Sequence, residues 1–239
     1  MNAPSDAIEK AMAEIEAAAR LTRQGKPSEA KERPGKRRWL RNLLIGAVAL
    51  LLPFWVLILG STVAAEQLDL GPWTSLVVAM LATSLLVTLY AGWFARRIGV
   101  SGGWWIPRIG FAVVLAFSVY GLVFISPSQL KRPELQETYT ALHPVLRLSL
   151  ATLILVDSGV MVTDGARVPE DYAAMGLPVN QRSLHYPQDS GFVHAVDLRT
   201  RGRPEWLTAL TTLYLRSVGL SVLRHTGTAD HLHVYLPAG

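Results

Sequence analysis

The sequence predicts two architectures in one chain: an α-helical transmembrane anchor of three spans, then a small α+β domain with a mostly antiparallel sheet. Three observations predict this. Asn42–Ala65, Leu70–Ala95 and Ile109–Leu130 hold no charged residue, and each reaches the ~20 apolar residues needed to cross a hydrocarbon core about 30 Å thick. Beyond residue 126, helical stretches stand beside a few short strands without strict alternation, the pattern of an α+β domain. The chain has no cysteine, so it has neither disulfides nor thiolate ligands, and any metal must be held by His, Asp or Glu.

Residues 1–38 form a cytoplasmic, charged segment. Ser5–Arg23 is rich in Ala and Glu and predicts a helix; Gly25–Gly35, with two prolines and many charges, predicts a linker. Residues 39–126 carry the three spans. Pro53 lies inside the first, where a membrane helix tolerates it, and Trp39, Trp73, Trp93, Trp104 and Trp105 stand near span ends as interfacial anchors. A cleaved signal peptide does not fit, because 41 residues precede the first span and two more spans follow. The spans contain no ionisable residue, which argues against an ion path.

Charge gives the orientation. The chain is +5 overall, but residues 1–125 carry 13 Lys/Arg against 8 Asp/Glu while residues 126–239 carry 10 against 10. The basic excess therefore flanks the spans and does not form a nucleic-acid surface. Lys36, Arg37, Arg38 and Arg41 precede the first span, Arg96, Arg97 and Arg108 follow the second, and the loop between them holds only Glu66 and Asp69. The positive-inside rule places the N-terminus in the cytoplasm. Three crossings put residues 127–239 outside the cytoplasmic (inner) membrane, the periplasmic side of a Gram-negative cell.

In that domain Leu142–Val156 and Pro204–Val218 predict helices and Pro169–Met175 a short one. Val160–Thr163, Val193–Leu198 and His231–Leu236 predict strands. The Trp206–Leu215 stripe reads as core packing. Arg199, Arg201 and Arg203 read as a solvated basic turn, with an anionic wall polymer as a further contact.

Five of the six histidines lie between His185 and His233. His231 and His233 alternate across Leu232, so both imidazoles leave one strand face. Asp197 sits in the apolar run Ala195–Leu198, where an unpaired carboxylate is costly and a cation would remove the penalty. Two His and one carboxylate with an open fourth position is a common catalytic zinc set.

Ser183-x-His185, Gly191, Ala195-Val196-Asp197-Leu198 and Asp230-His231-Leu232-His233-Val234 together resemble the zinc D-Ala-D-Ala carboxypeptidases and dipeptidases, grouped with lysostaphin-type enzymes and the hedgehog domain. Val162–Arg167 looks like that family's strand and arginine-bearing loop, and the resemblance covers Leu142–Leu236. It implies Zn2+ on His185, Asp197 and His233, Asp230 as general base, and His231 beside the metal, stabilising the intermediate. It implies Arg167 on a substrate carboxylate, a bidentate task suited to guanidinium. The activity it implies is hydrolysis of peptidoglycan stem peptides by a D,D-carboxypeptidase or endopeptidase, with wall peptides and the lipid bilayer as partners and no nucleic acid. The alternative is an inactive zinc-containing module that binds wall peptides or a protein partner.

The family places six residues between its first His and the Asp, whereas eleven separate His185 from Asp197. Tyr186–Ser190 reads as an inserted loop, and His194 stands as the alternative first ligand. Asp197 could instead pair with Arg199 or Arg201, and Arg167 with Asp164 or Glu170. His143 and His225 receive no role.

Overall fold

The computed structural model describes residues 36–100, 103–174, 176, 178–227 and 229–237, together with 9–10, 12–17 and 20. Within the predicted Ser5–Arg23 helix, residues 9–10, 12–17 and 20 are helical; its remainder and the Gly25–Gly35 linker lie outside the described residues. The chain forms two units, 1–48 and 49–239. The second holds the greater part of the spans and every element after them.

Three long helices open the structure: α1 (Lys36–Glu66), which begins in the first unit, α2 (Pro72–Arg97) and α3 (Trp105–Val123). Each is long and apolar enough to cross a membrane. Pro53 sits inside α1 without ending it. The third span is displaced from its predicted bounds. It starts four residues earlier, at Trp105, and stops at Val123, after which Phe124 is extended. Pro127 explains the early stop: it has no N–H to donate and forces Ser126 out of the helical region, to ψ 137°. Arg108 consequently lies in the first turn of α3, its guanidinium 3.7 Å from the Trp104 ring centroid, a cation–π contact at the span's end.

The C-terminal segment adds α4 (Glu134–Glu137), α5 (Pro144–Val156), β1 (Val162–Asp164), α6 (Pro169–Ala174), β2 (Ala195–Arg199), α7 (Glu205–Ser217), β3 (Ser221–His225) and β4 (His231–Tyr235). The strands form one antiparallel sheet in the order β1-β2-β4-β3. Every helix and strand predicted in this segment has its counterpart within about two residues, and β3 is an element the sequence reading lacked.

Local chemistry sets the helix ends. His143 Nδ1 accepts from the Val145 amide at the start of α5, with Pro144 in the first turn where its missing N–H costs nothing. The α7 helix closes with paired bonds, Leu220 N to Leu215 O at 3.0 Å and Gly219 N to Arg216 O at 3.1 Å. That cap needs a left-handed residue, and Gly219 supplies it at φ +91°.

On one sheet face Val196, Leu198, Val222, Leu232 and Val234 are buried together with Leu146, Leu148 and Leu150 of α5 and Leu215 of α7. Fully burying a side chain of this size contributes roughly 1.5–3 kcal/mol. The same buried cluster continues into the spans through Leu57, Ile58, Leu76, Met80 and Val114. Polar contacts tie the layers together: Tyr139 Oη donates to Gly121 O at 2.7 Å, and Arg147 donates to Leu122 O at 2.6 Å. Thr62 Oγ1 donates to Val218 O at 2.9 Å. The spans thus share a core with the residues that follow them.

The Trp206–Leu215 stripe packs into the core at Leu215 but not at Trp206, Leu210 or Leu213, contrary to its sequence pattern. The α7 helix buries Thr208, Thr211 and Leu215 but leaves Trp206, Leu210 and Leu213 exposed. The predicted core side of α7 and its actual buried side differ because the helix rests on the sheet through its threonines.

Candidate metal centre

Asp197 of β2 lies directly opposite His233 of β4, and Arg199 opposite His231. On the far side of β4, β3 sets Leu223 opposite His233 and His225 opposite His231. Paired residues share a sheet face, so the odd-numbered side chains collect on the face away from the core. They floor an open pocket of about 890 Å³, walled by Asp164, Arg167, Tyr172 and the stretch from Asn180 to His185.

Three side chains converge on that floor. His185 Nδ1–H donates to Gly165 O at 2.6 Å, which fixes the ring with Nε2 turned to the pocket floor. That Nε2 lies 3.4 Å from Asp197 Oδ1, and His233 Nδ1 lies 2.9 Å from the same oxygen. The three ligand atoms all lie within 4.8 Å of one another, and the group could hold a metal ion. The donor set suits a divalent cation of the zinc type: tetrahedral ligands at 2.0–2.1 Å from zinc stand about 3.3 Å apart. The backbone carbonyl behind His185 is the kind of outer partner that metal-bound imidazoles use.

The second carboxylate oxygen is also used. Asp197 Oδ2 accepts from Arg167 at 2.9 Å, and His231 Nε2 stands 3.7 Å away. Burial alone would raise the Asp197 pKa, but its bonding to His185 and His233 and the nearby positive charge hold the carboxyl well below the usual range. Arg167 spans both acids: its Nε donates to Asp164 Oδ2 at 2.9 Å, and its NH1 lies 3.4 Å from Tyr172 Oη. Tyr172 in turn donates to Ser183 Oγ at 2.6 Å, and Ser183 Oγ also accepts the His185 amide. The Ser183-x-His185 pair is therefore a local clamp. Of the partners weighed for Arg167, Asp164 is the one it meets. Asp197 meets Arg167, not Arg199 or Arg201, whose own contact is Arg199 Nε to Arg201 O.

His194 stays outside the centre. It is one residue off the Asp197 face, its Nε2 is 2.7 Å from Ser190 Oγ, and its ring packs on His143. Burial pushes His143 down to about 3, helped by His194 and Arg147, and burial lowers His194 as well. The loop Tyr186–Phe192 closes on itself through Gln188 N to Phe192 O and Gly191 N to Gln188 O on the way from His185 to β2.

Asp230 and His231 border the pocket. Asp230 is held by Arg224 at 2.9 and 3.1 Å, and Arg224 also grips Glu205. These bonds from Arg224 pull the Asp230 carboxyl down to about 2. His231 Nδ1–H donates to Ala229 O and its ring stacks on His225 at 5.0 Å. Sequence reasoning missed His225, which lines the pocket, and Arg224, which holds Asp230 from outside it. The run Val222-Leu223-Arg224-His225 after Gly219 does not alternate apolar with polar residues, so it carried no strand signal.

Comparison with protein-family models, curated proteins and solved structures returns no match.

Proposed function

We propose that the chain is a membrane-anchored, zinc-dependent peptidase of peptidoglycan stem peptides, acting on the outer side of the cytoplasmic membrane. The observation that carries this reading is the convergence of His185 Nε2, His233 Nδ1 and Asp197 Oδ1 on the floor of an open pocket. A zinc ion held there would supply Lewis-acid polarisation of a carbonyl and acidify a bound water. Asp230 accepts the water proton and returns it to the leaving amine, His231 faces the developing oxyanion, and Arg167 orients a substrate carboxylate. The motif resemblance to the D-Ala-D-Ala peptidases selects peptide hydrolysis among the reactions such a centre performs.

The test uses the full-length chain in detergent, with muropeptides ending in D-Ala-D-Ala and a panel of crosslinked ones. Expected results are D-Ala release or crosslink cleavage, lost on chelation and restored by zinc, with Asp230→Ala slower by about 10²–10⁴-fold. Zinc-loaded protein that cleaves no member of the panel would sink the peptidase reading.

A second reading, a non-catalytic zinc module that binds wall peptides or a partner, has one observation in its favour: Arg224 occupies both carboxylate oxygens of Asp230, which lowers its basicity. Arg224→Gln separates the two. If Asp230 is the base, its pKa rises from about 2 toward the ordinary carboxylate value, and kcat at pH 7 increases several-fold with zinc content unchanged. An unchanged or lower kcat removes Asp230 from that role.

A further inference from the structure

The α7 helix is inside out for a water-exposed domain. It buries Thr208 and Thr211 beside Leu215 and exposes Trp206, Leu210 and Leu213 at 63%, 53% and 65%. These positions, spaced four and three apart, form one stripe, and the next residue in the series is Ser217. Ser217 O accepts from the indole N–H of Trp55 at 3.1 Å, and Trp55 lies inside the first span. One residue further on, Val218 O accepts from Thr62. Glu66 is the first charge at that end of α1. At 1.5 Å per residue, Trp55 stands about 16 Å and Thr62 about 6 Å along α1 from it. The stripe therefore runs continuously onto the apolar surface of a membrane span, at a depth where the hydrocarbon core has begun.

We propose that α7 is an interfacial helix, its Trp206–Leu210–Leu213 face immersed in the leaflet nearer the C-terminal domain. Lipid is the occupant because the stripe joins the lipid-facing surface of α1 without a break. The polar end of α7 at that depth is satisfied by Trp55 and Thr62, as a helix C-terminus in a dry environment must be. Immersion of an apolar helix face by 5–10 Å is the ordinary depth for such elements. At the other end, Glu205 binds Arg224, which holds Asp230 at the pocket. One helix about 20 Å long thus runs from the rim of the metal centre to the interior of a span. The pocket occupies the sheet face opposite the α5/α7 layer, so immersion holds its mouth facing away from the bilayer. This inference rests on the three spans and on α7, and is independent of the reaction assigned to the centre.

The absence of native cysteine makes the test direct. Single cysteines replacing Trp206, Leu210, Leu213 and Thr226 are introduced into the full-length chain, labelled with an environment-sensitive fluorophore and placed in phosphatidylcholine nanodiscs. Thr226 lies in the turn at the end of β3 farthest from Gly219 and serves as the aqueous control. Probes at 206, 210 and 213 are expected to be quenched at least twofold by nitroxide-bearing lipid and protected from aqueous iodide, with the reverse at 226. Iodide quenching at 210 and 213 equal to that at 226 overturns the proposal. So does protection from both quenchers, which would mean that a second copy or a protein partner covers the stripe.

Discussion

Asp197→Ala is expected to empty the metal centre and to destabilise the metal-free protein as well. On the proposed function, zinc content measured by elemental analysis falls from about one ion per chain to near none, and hydrolysis falls by more than the 10–100-fold typical of losing an outer partner of a metal site. The destabilisation has a separate origin. Asp197 is 3% exposed and is the acceptor shared by Arg167 and His233. Removing it leaves a buried guanidinium with Asp164 alone, at a cost of about 2–3 kcal/mol, below the range for a fully orphaned buried charge. The pH dependence follows from the depressed carboxyl. Its stabilisation is complete above the unfolded-state value of about 3.9 and is lost as pH falls through the lower folded-state value. Chemical denaturation of metal-free Asp197→Asn should therefore lose less stability than wild type below about pH 4. Equal slopes in the two proteins would detach this network from acid stability.

Gly219→Val is the substitution expected to damage the architecture most. A side chain there meets two obstacles. The backbone is at φ +91°, a left-handed region costing a non-glycine residue about 1–2 kcal/mol, more for a β-branched one. A Cβ would also sit 2.7 Å from Thr62 Cγ2, adding about 1–3 kcal/mol of overpacking. The two costs separate experimentally. Thr62→Ala should recover part of the loss in the double variant by opening space, while the φ strain remains. Thermal unfolding of the four proteins in detergent, followed by tryptophan fluorescence, measures the coupling. Strict additivity would mean that α1 and the end of α7 do not touch.

Much of the architecture was legible because its signals are local. Long uncharged stretches give spans, and helical periodicity gives α5 and α7. The alternation of His231, Leu232 and His233 gives a strand with both imidazoles on one face. The choice between His185 and His194 stayed open in the sequence, although strand parity bears on it. Asp197 lies an odd number of residues from His194, so a continuous strand sends their side chains to opposite faces. The pairing of β1 with β2 and of β2 with β4 was not legible, since register depends on partners far away in sequence. Nor was the tie between Arg224 and Asp230, because β3 is short and mixes Ser, Arg and His with its apolar residues. The inverted face of α7 was misread for a physical reason. An apolar helical stripe looks the same whether a core or a bilayer covers it.

The continuous core from Leu57 and Met80 to Leu146 and Val218 has a consequence for biosynthesis. The apolar side of α5 is completed by residues of the spans, so the last hundred residues have no finished interior until the helices are inserted. Membrane insertion then precedes completion of the candidate metal centre. Chains arrested before it would present α5 and α7 as sticky surfaces for quality-control proteases. Such a centre assembles only where its anchor has already been placed.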